Sequence, residues 1–88
     1  MNLTIGSLVY STAGHDKGNL FVIISEAGEY VYLADGKYRT VKKPKKKNKK
    51  HVKPVDREGY SLELIKENAV AADEEIKYFI KRFKRENQ

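Results

Sequence analysis

Three apolar runs in the first half of the chain are too short for helices, and each is bounded by turn-forming residues. Leu8-Val9-Tyr10 ends at Ser11-Thr12-Ala13-Gly14; Leu20-Phe21-Val22-Ile23-Ile24 follows Gly18; and Tyr30-Val31-Tyr32-Leu33 lies between Ala27-Gly28-Glu29 and Asp35-Gly36. Runs of this length, rich in β-branched and aromatic residues, read as strands. In the third run, alternation puts Tyr30 and Tyr32 on one face and Val31 and Leu33 on the other. Asp35-Gly36 is a strong hairpin signal, and it points to a fourth strand over Tyr38-Arg39-Thr40-Val41. His51-Val52-Lys53-Pro54-Val55 supplies a fifth, which Pro54 confines to an edge. The expected fold is mainly β: a small antiparallel barrel of about five strands with one C-terminal amphipathic helix.

The helix is expected over residues 72–86. Ile76, Phe79, Ile80 and Phe83 fall at i, i+3, i+4 and i+7 and make one apolar stripe, suited to docking on the sheet. Asp73, Glu74 and Glu75 would occupy the first turn, with Lys81, Arg82, Lys84 and Arg85 near the end, as the helix dipole favours. The chain divides into a barrel over 1–56 that includes a basic loop at 42–50, a connector over 57–71 and the helical segment 72–88. In the connector, Leu62, Leu64 and Ile65 are available for packing. With 88 residues there is room for one compact domain and little for a deep substrate cavity.

Charge is unevenly placed. The formal charge is +6, yet the ten Lys and Arg between Lys37 and Lys53 are interrupted by no acid. The remaining eight bases face all 12 acids, so the rest of the chain carries −4. Such segregation marks a surface that faces a polyanion. The run from Lys42 to Lys50 has no apolar residue, cannot bury itself, and is expected to be extended and mobile.

No cysteine is present, which excludes disulfides and thiolate metal sites. The two histidines have no ligand-like spacing, and no metal or other cofactor is expected. Neither a secretory signal nor a membrane span is visible, so the expectation is a cytoplasmic protein without a membrane partner. Ser11, His15 and Asp16 have the residue types of a hydrolase triad but crowd into one turn, where a nucleophile, a base and an orienting acid rarely align. No Walker loop or dinucleotide fingerprint occurs, and no catalysis or small-molecule substrate is expected.

Gly6, Val9, Gly14, Lys17 and Gly18 are spaced as in the KOW motif, where a strand runs into a Lys-Gly turn and a second strand. With the continuation through Gly18-Asn19-Leu20-Phe21-Val22-Ile23-Ile24 and Tyr30-Val31-Tyr32-Leu33-Ala34-Asp35-Gly36, residues 4–55 resemble the KOW-containing large-subunit ribosomal proteins. They also resemble the small stand-alone KOW proteins of bacteria. Asn19-Leu20 departs from the pattern, because many KOW turns carry a further glycine there. The resemblance implies an SH3-like barrel that binds RNA through its loops and a basic edge. Gly14 and Gly18 would shape the turn, and Lys17 would face phosphate.

The candidate RNA contacts are therefore Lys17, His15, Lys37, Tyr38, Arg39, Lys42, Lys43, Lys45, Lys46, Lys47, Lys49, Lys50, His51 and Lys53. Lysine is a flexible point charge without arginine's planar fork, so recognition by phosphate and shape is expected, with little base readout. Tyr30, Tyr32 and Tyr38 are candidates for stacking on unpaired bases or for packing. The expected partner is ribosomal or other structured RNA, with ribosomal proteins as possible neighbours, and the chain is expected to act as a monomer. The competing reading is a protein-interaction module associated with the ribosome or transcription machinery, with its peptide groove on the barrel. Attachment to an anionic membrane ranks third, because no lipid or apolar wedge accompanies the lysines.

Overall fold

The computed structural model describes residues 3–55, 62 and 68–87. Five strands, β1 (Leu8–Ser11), β2 (Leu20–Ala27), β3 (Tyr30–Ala34), β4 (Lys45–Asn48) and β5 (Val52–Pro54), precede the helix α1 (Ala69–Glu86). They form one antiparallel sheet in the order β4-β3-β2-β1-β5. The mainly β fold with a single C-terminal helix follows the sequence reading. The two edge strands do not pair with each other, so the sheet is open.

Both faces of this sheet are covered, which explains why the first five residues of β2, Leu20 to Ile24, are all apolar instead of alternating, while its exposed end carries Ser25 and Glu26. On one face Leu8, Val22 and Ala34 align across β1, β2 and β3 and pack against Ile76, Phe79 and Ile80 of α1. On the other, Val9, Phe21, Ile23, Val31, Leu33 and Val52 form a second cluster, every member at most 5% exposed. Among the described residues only Leu3 is added to that cluster from outside the sheet. The sheet therefore curls around its own inner face. A register shift in β2 between Ile23 and Ser25 sharpens the bend. Each large side chain buried in these clusters contributes about 1.5–3 kcal/mol of hydrophobic stabilisation.

Two elements differ from expectation. Residues 38–41 form no strand. The Asp35 Oδ1 atom accepts the backbone N–H groups of Lys37, Tyr38 and Arg39 at 2.8–2.9 Å, and the Arg39 carbonyl accepts from Asp35 and Gly36. This carboxylate closes the backbone into a tight loop before an extended strand can start. The fourth strand instead lies within the lysine run: Lys45, Lys46, Lys47 and Asn48 pair with Leu33, Tyr32, Val31 and Tyr30. The segment expected to be loose is held by the open edge of β3.

Helix α1 starts at Ala69, three residues before the expected position, because the Asn68 side chain caps it by accepting the Ala71 N–H at 2.7 Å. Asp73, Glu74 and Glu75 consequently fall beyond the first turn. Asp73 accepts the Val41 N–H at 2.9 Å and so ties the helix to the 35–43 loop. Gly36 makes the same junction possible: it is buried at φ +80, and a Cβ there would collide with the Asp73 carbonyl oxygen. Leu62 donates its N–H to the Gly6 carbonyl at 2.7 Å and packs on the helix-side cluster. Leu64, Ile65 and the rest of the expected connector before Asn68 lie outside the described residues.

Candidate nucleic-acid interface

Antiparallel pairing sorts the lysines of β4 by face. Lys45 and Lys47 lie opposite Leu33 and Val31, so their side chains leave on the inner face of the curled sheet. Lys46 and Asn48 lie opposite Tyr32 and Tyr30 on the helix-bearing face.

The inward pair meets the turn between β1 and β2. Lys47 Nζ donates to Asp16 Oδ1 at 2.6 Å and to the Ala13 carbonyl at 2.7 Å, and Lys45 Nζ is 3.1 Å from Asp16 Oδ2. Ser11 Oγ lies 2.8 Å from Asp16 Oδ1 and 2.9 Å from the Ala13 carbonyl. The Lys47 and Asp16 side chains are only 9% and 12% exposed. Burial alone would raise the Asp16 pKa, but the hydrogen bonds from Lys47, Ser11 and Lys45 outweigh it and hold the carboxyl well below the usual carboxylate range. The turn that carries Asp16 depends on Gly14 and Gly18, both at positive φ, and on the Gly18 N–H reaching the Ser11 carbonyl at 2.8 Å. Ser11, 1% exposed, is joined to Asp16 with no histidine between them, while His15 is exposed. Ser11 and Asp16 thus form a structural joint with Lys47 and Lys45, and Ser11, His15 and Asp16 are not arranged in the order of a nucleophile–base relay.

Three of the anticipated phosphate contacts are therefore engaged within the fold. Lys45 and Lys47 share Asp16, and Lys49 pairs with Glu26 at 2.6 Å. The other anticipated cations, Lys17, Lys37, Arg39, Lys42, Lys43, Lys46, Lys50 and Lys53, are exposed, and no carboxylate partner is found for them among the described residues. Four of these sit on the 35–43 loop. The nearby acids Asp35 and Asp73 are occupied there by backbone N–H groups. Tyr38 projects from the same loop, 79% exposed, with Lys37 Nζ 5.1 Å from its ring centre. Tyr30 is partly covered by Lys46, whose Nζ is 4.3 Å from the ring centre, and Tyr32 is half-buried. His51 is half-buried, and its carbonyl accepts the Thr12 N–H at 2.9 Å.

The sequence reading missed the contribution of α1. Lys77, Lys81 and Lys84 line an open groove of about 420 Å³ together with Lys37 and Tyr38. These three are spaced i, i+4 and i+7, a basic stripe beside the apolar one, and that spacing is the signal that could have found them.

No family model matches the chain, and no curated protein matches it. Among the described residues, no helix is long and apolar enough to cross a membrane.

Proposed function

We propose that this chain is a non-catalytic RNA-binding module that engages structured RNA, ribosomal RNA being the leading candidate, mainly through backbone phosphates. The observation that carries this reading is the division of acids among the lysines. Asp16, shared by Lys45 and Lys47, and Glu26, paired with Lys49, are taken up by three lysines within the fold. The cations of the 35–43 loop, with Lys46, Lys50 and Lys53, keep their charge toward solvent. A surface of exposed lysines beside an exposed tyrosine suits phosphate neutralisation with occasional stacking on an unpaired base.

The KOW resemblance adds to this proposal. The glycine-bounded turn between β1 and β2 is where that motif would lie, and Lys17 is exposed on it. Lys17, Lys37, Tyr38, Arg39, Lys42, Lys43, Lys46, Lys50 and Lys53 are the proposed contacts, while Lys45, Lys47 and Lys49 act by positioning β4 and its flanking turn.

Fluorescence anisotropy across a salt series tests this, with a ribosomal RNA fragment, a generic RNA duplex and a polyglutamate peptide as ligands. Engagement of five or six phosphates gives a log–log salt slope on the order of −4 to −5. A preference for the folded ribosomal RNA is the expected result. Equal affinity for the peptide, or no RNA binding at low salt, would overturn the reading and favour a protein partner.

A further inference from the structure

We propose that the groove between α1 and the 35–39 loop is a distinct subsite for a short unpaired segment of RNA, its phosphates held by the helix lysines and one base stacked on Tyr38. The inference rests on the RNA-binding reading and assigns it a site outside the Lys42–Lys50 run.

Three parts of the chain meet in this groove. The loop supplies Lys37 and Tyr38, the turn before β2 supplies Gly18 and Asn19, and α1 supplies Lys77, Lys81 and Lys84. Lys77 to Lys84 spans about 11 Å along the helix axis, two turns, so the three ammonium groups can follow a backbone past successive phosphates. Lys77 is partly screened by Glu74, 2.6 Å from its Nζ, whereas no carboxylate partner is found for Lys37, Lys81 and Lys84 among the described residues. Asp35 is the acid lining the groove, and its Oδ1 already receives three backbone N–H groups. The remaining lining is apolar, Leu20 and Ile80, as a surface for base or sugar faces requires.

Duplex RNA is the poorer occupant. Tyr38 offers a π-face that only an unstacked base can use, and the bases in a helix are already stacked on one another. The groove also continues into a second depression of about 560 Å³ that shares Gly18 and Leu20 and is lined by Tyr10, Lys53 and Phe83. A strand leaving Tyr38 therefore meets another tyrosine and another lysine along the same course.

A labelled, unstructured hexauridylate and a ribosomal RNA hairpin serve as probes for the wild type, Lys81→Glu/Lys84→Glu, Tyr38→Ala and Tyr38→Phe. All the altered side chains are exposed, and circular dichroism should confirm that each variant is folded. Hexauridylate affinity is expected to fall about ten-fold or more in the double variant and roughly five-fold or more in Tyr38→Ala. It should be unchanged in Tyr38→Phe, which keeps the ring. Hairpin binding without hexauridylate binding, or hexauridylate binding indifferent to these variants, would overturn the subsite while leaving the RNA-binding reading intact. Failure of both probes to bind the wild type would remove that reading as well.

Discussion

Lys47 Nζ reaches Asp16 Oδ1 at 2.6 Å across 31 positions of chain, joining the edge strand β4 to the turn between β1 and β2. Backbone hydrogen bonds do not close the sheet between β4 and β5, but this side-chain pair ties β4 to the far side of the inner face. A charge pair so thoroughly shielded is costly to break, because removing one partner leaves the other charge uncompensated.

Asp16→Asn is expected to destabilise the fold by about 2–4 kcal/mol near neutral pH, measured by urea denaturation. Because the folded-state pKa of Asp16 is depressed, its contribution is present above the unfolded value, about 3.9, and is lost as pH falls toward the folded one. Wild-type stability should therefore drop below about pH 4 more steeply than that of Asp16→Asn. Parallel acid profiles of the two proteins would refute this account of the pair.

Charge reversal separates the fold-directed lysines from the solvent-directed ones. Lys42→Glu/Lys43→Glu/Lys46→Glu should stay within about 0.5 kcal/mol of wild type per site, as surface changes usually do. The same variant should lower RNA affinity at least about ten-fold and make the salt slope shallower by about two to three. Lys47→Glu alone sets a second carboxylate against Asp16 and should lower Tm sharply. A triple variant with full RNA affinity would move the interface away from this surface.

Helix docking depends on the absence of a side chain at Gly36. Gly36→Ala combines an unfavourable positive φ with a collision against the Asp73 backbone, so a loss of at least about 2 kcal/mol is expected. In a domain of this size that lowers Tm by roughly 8–16 °C. Ile76→Ala, fully buried on the other side of the same contact, should cost about 2–5 kcal/mol.

Asn68→Ala removes the side-chain acceptor for the Ala71 N–H and should cost about 1 kcal/mol, with Asn68→Ser restoring most of it. Thermal melts of the three proteins check this. Equal Tm values would mean that the first turn of α1 is held by its packing alone.

Where local pattern decides the structure, the sequence was readable. β2 was legible because apolar side chains cover both of its faces, and α1 because Ile76, Phe79, Ile80 and Phe83 keep one period. Strand β4 was hidden, since Lys-Lys-Lys-Asn has no local preference for a strand. Its conformation comes from the open edge of β3 and from Asp16, neither of which is near in sequence. The loop after Asp35 was misread because an Asp-Gly pair signals a turn, but the number of backbone N–H groups one carboxylate will gather is settled only in three dimensions. The groove was half visible: the spacing of Lys77, Lys81 and Lys84 stood in the sequence, and their position opposite Lys37 and Tyr38 did not.

The strand order β4-β3-β2-β1-β5 also sets a timetable for folding. Pairings of β1 with β2, β2 with β3 and β3 with β4 join neighbours in the chain and close through comparatively short loops. Only β5 must return across the whole sheet to β1, placing Pro54 opposite Val9. Loop-closure entropy makes that the contact with the largest entropic barrier, so a meander of four strands should assemble first and the seam beside β1 last. The turn after β4 that carries Lys49, Lys50 and His51 leads straight into that seam, so the final arrangement of its charges is fixed late. Until then Lys49, Lys50 and Lys53, beyond the strand already paired with β3, remain a loose cluster of cations that any passing polyanion can hold.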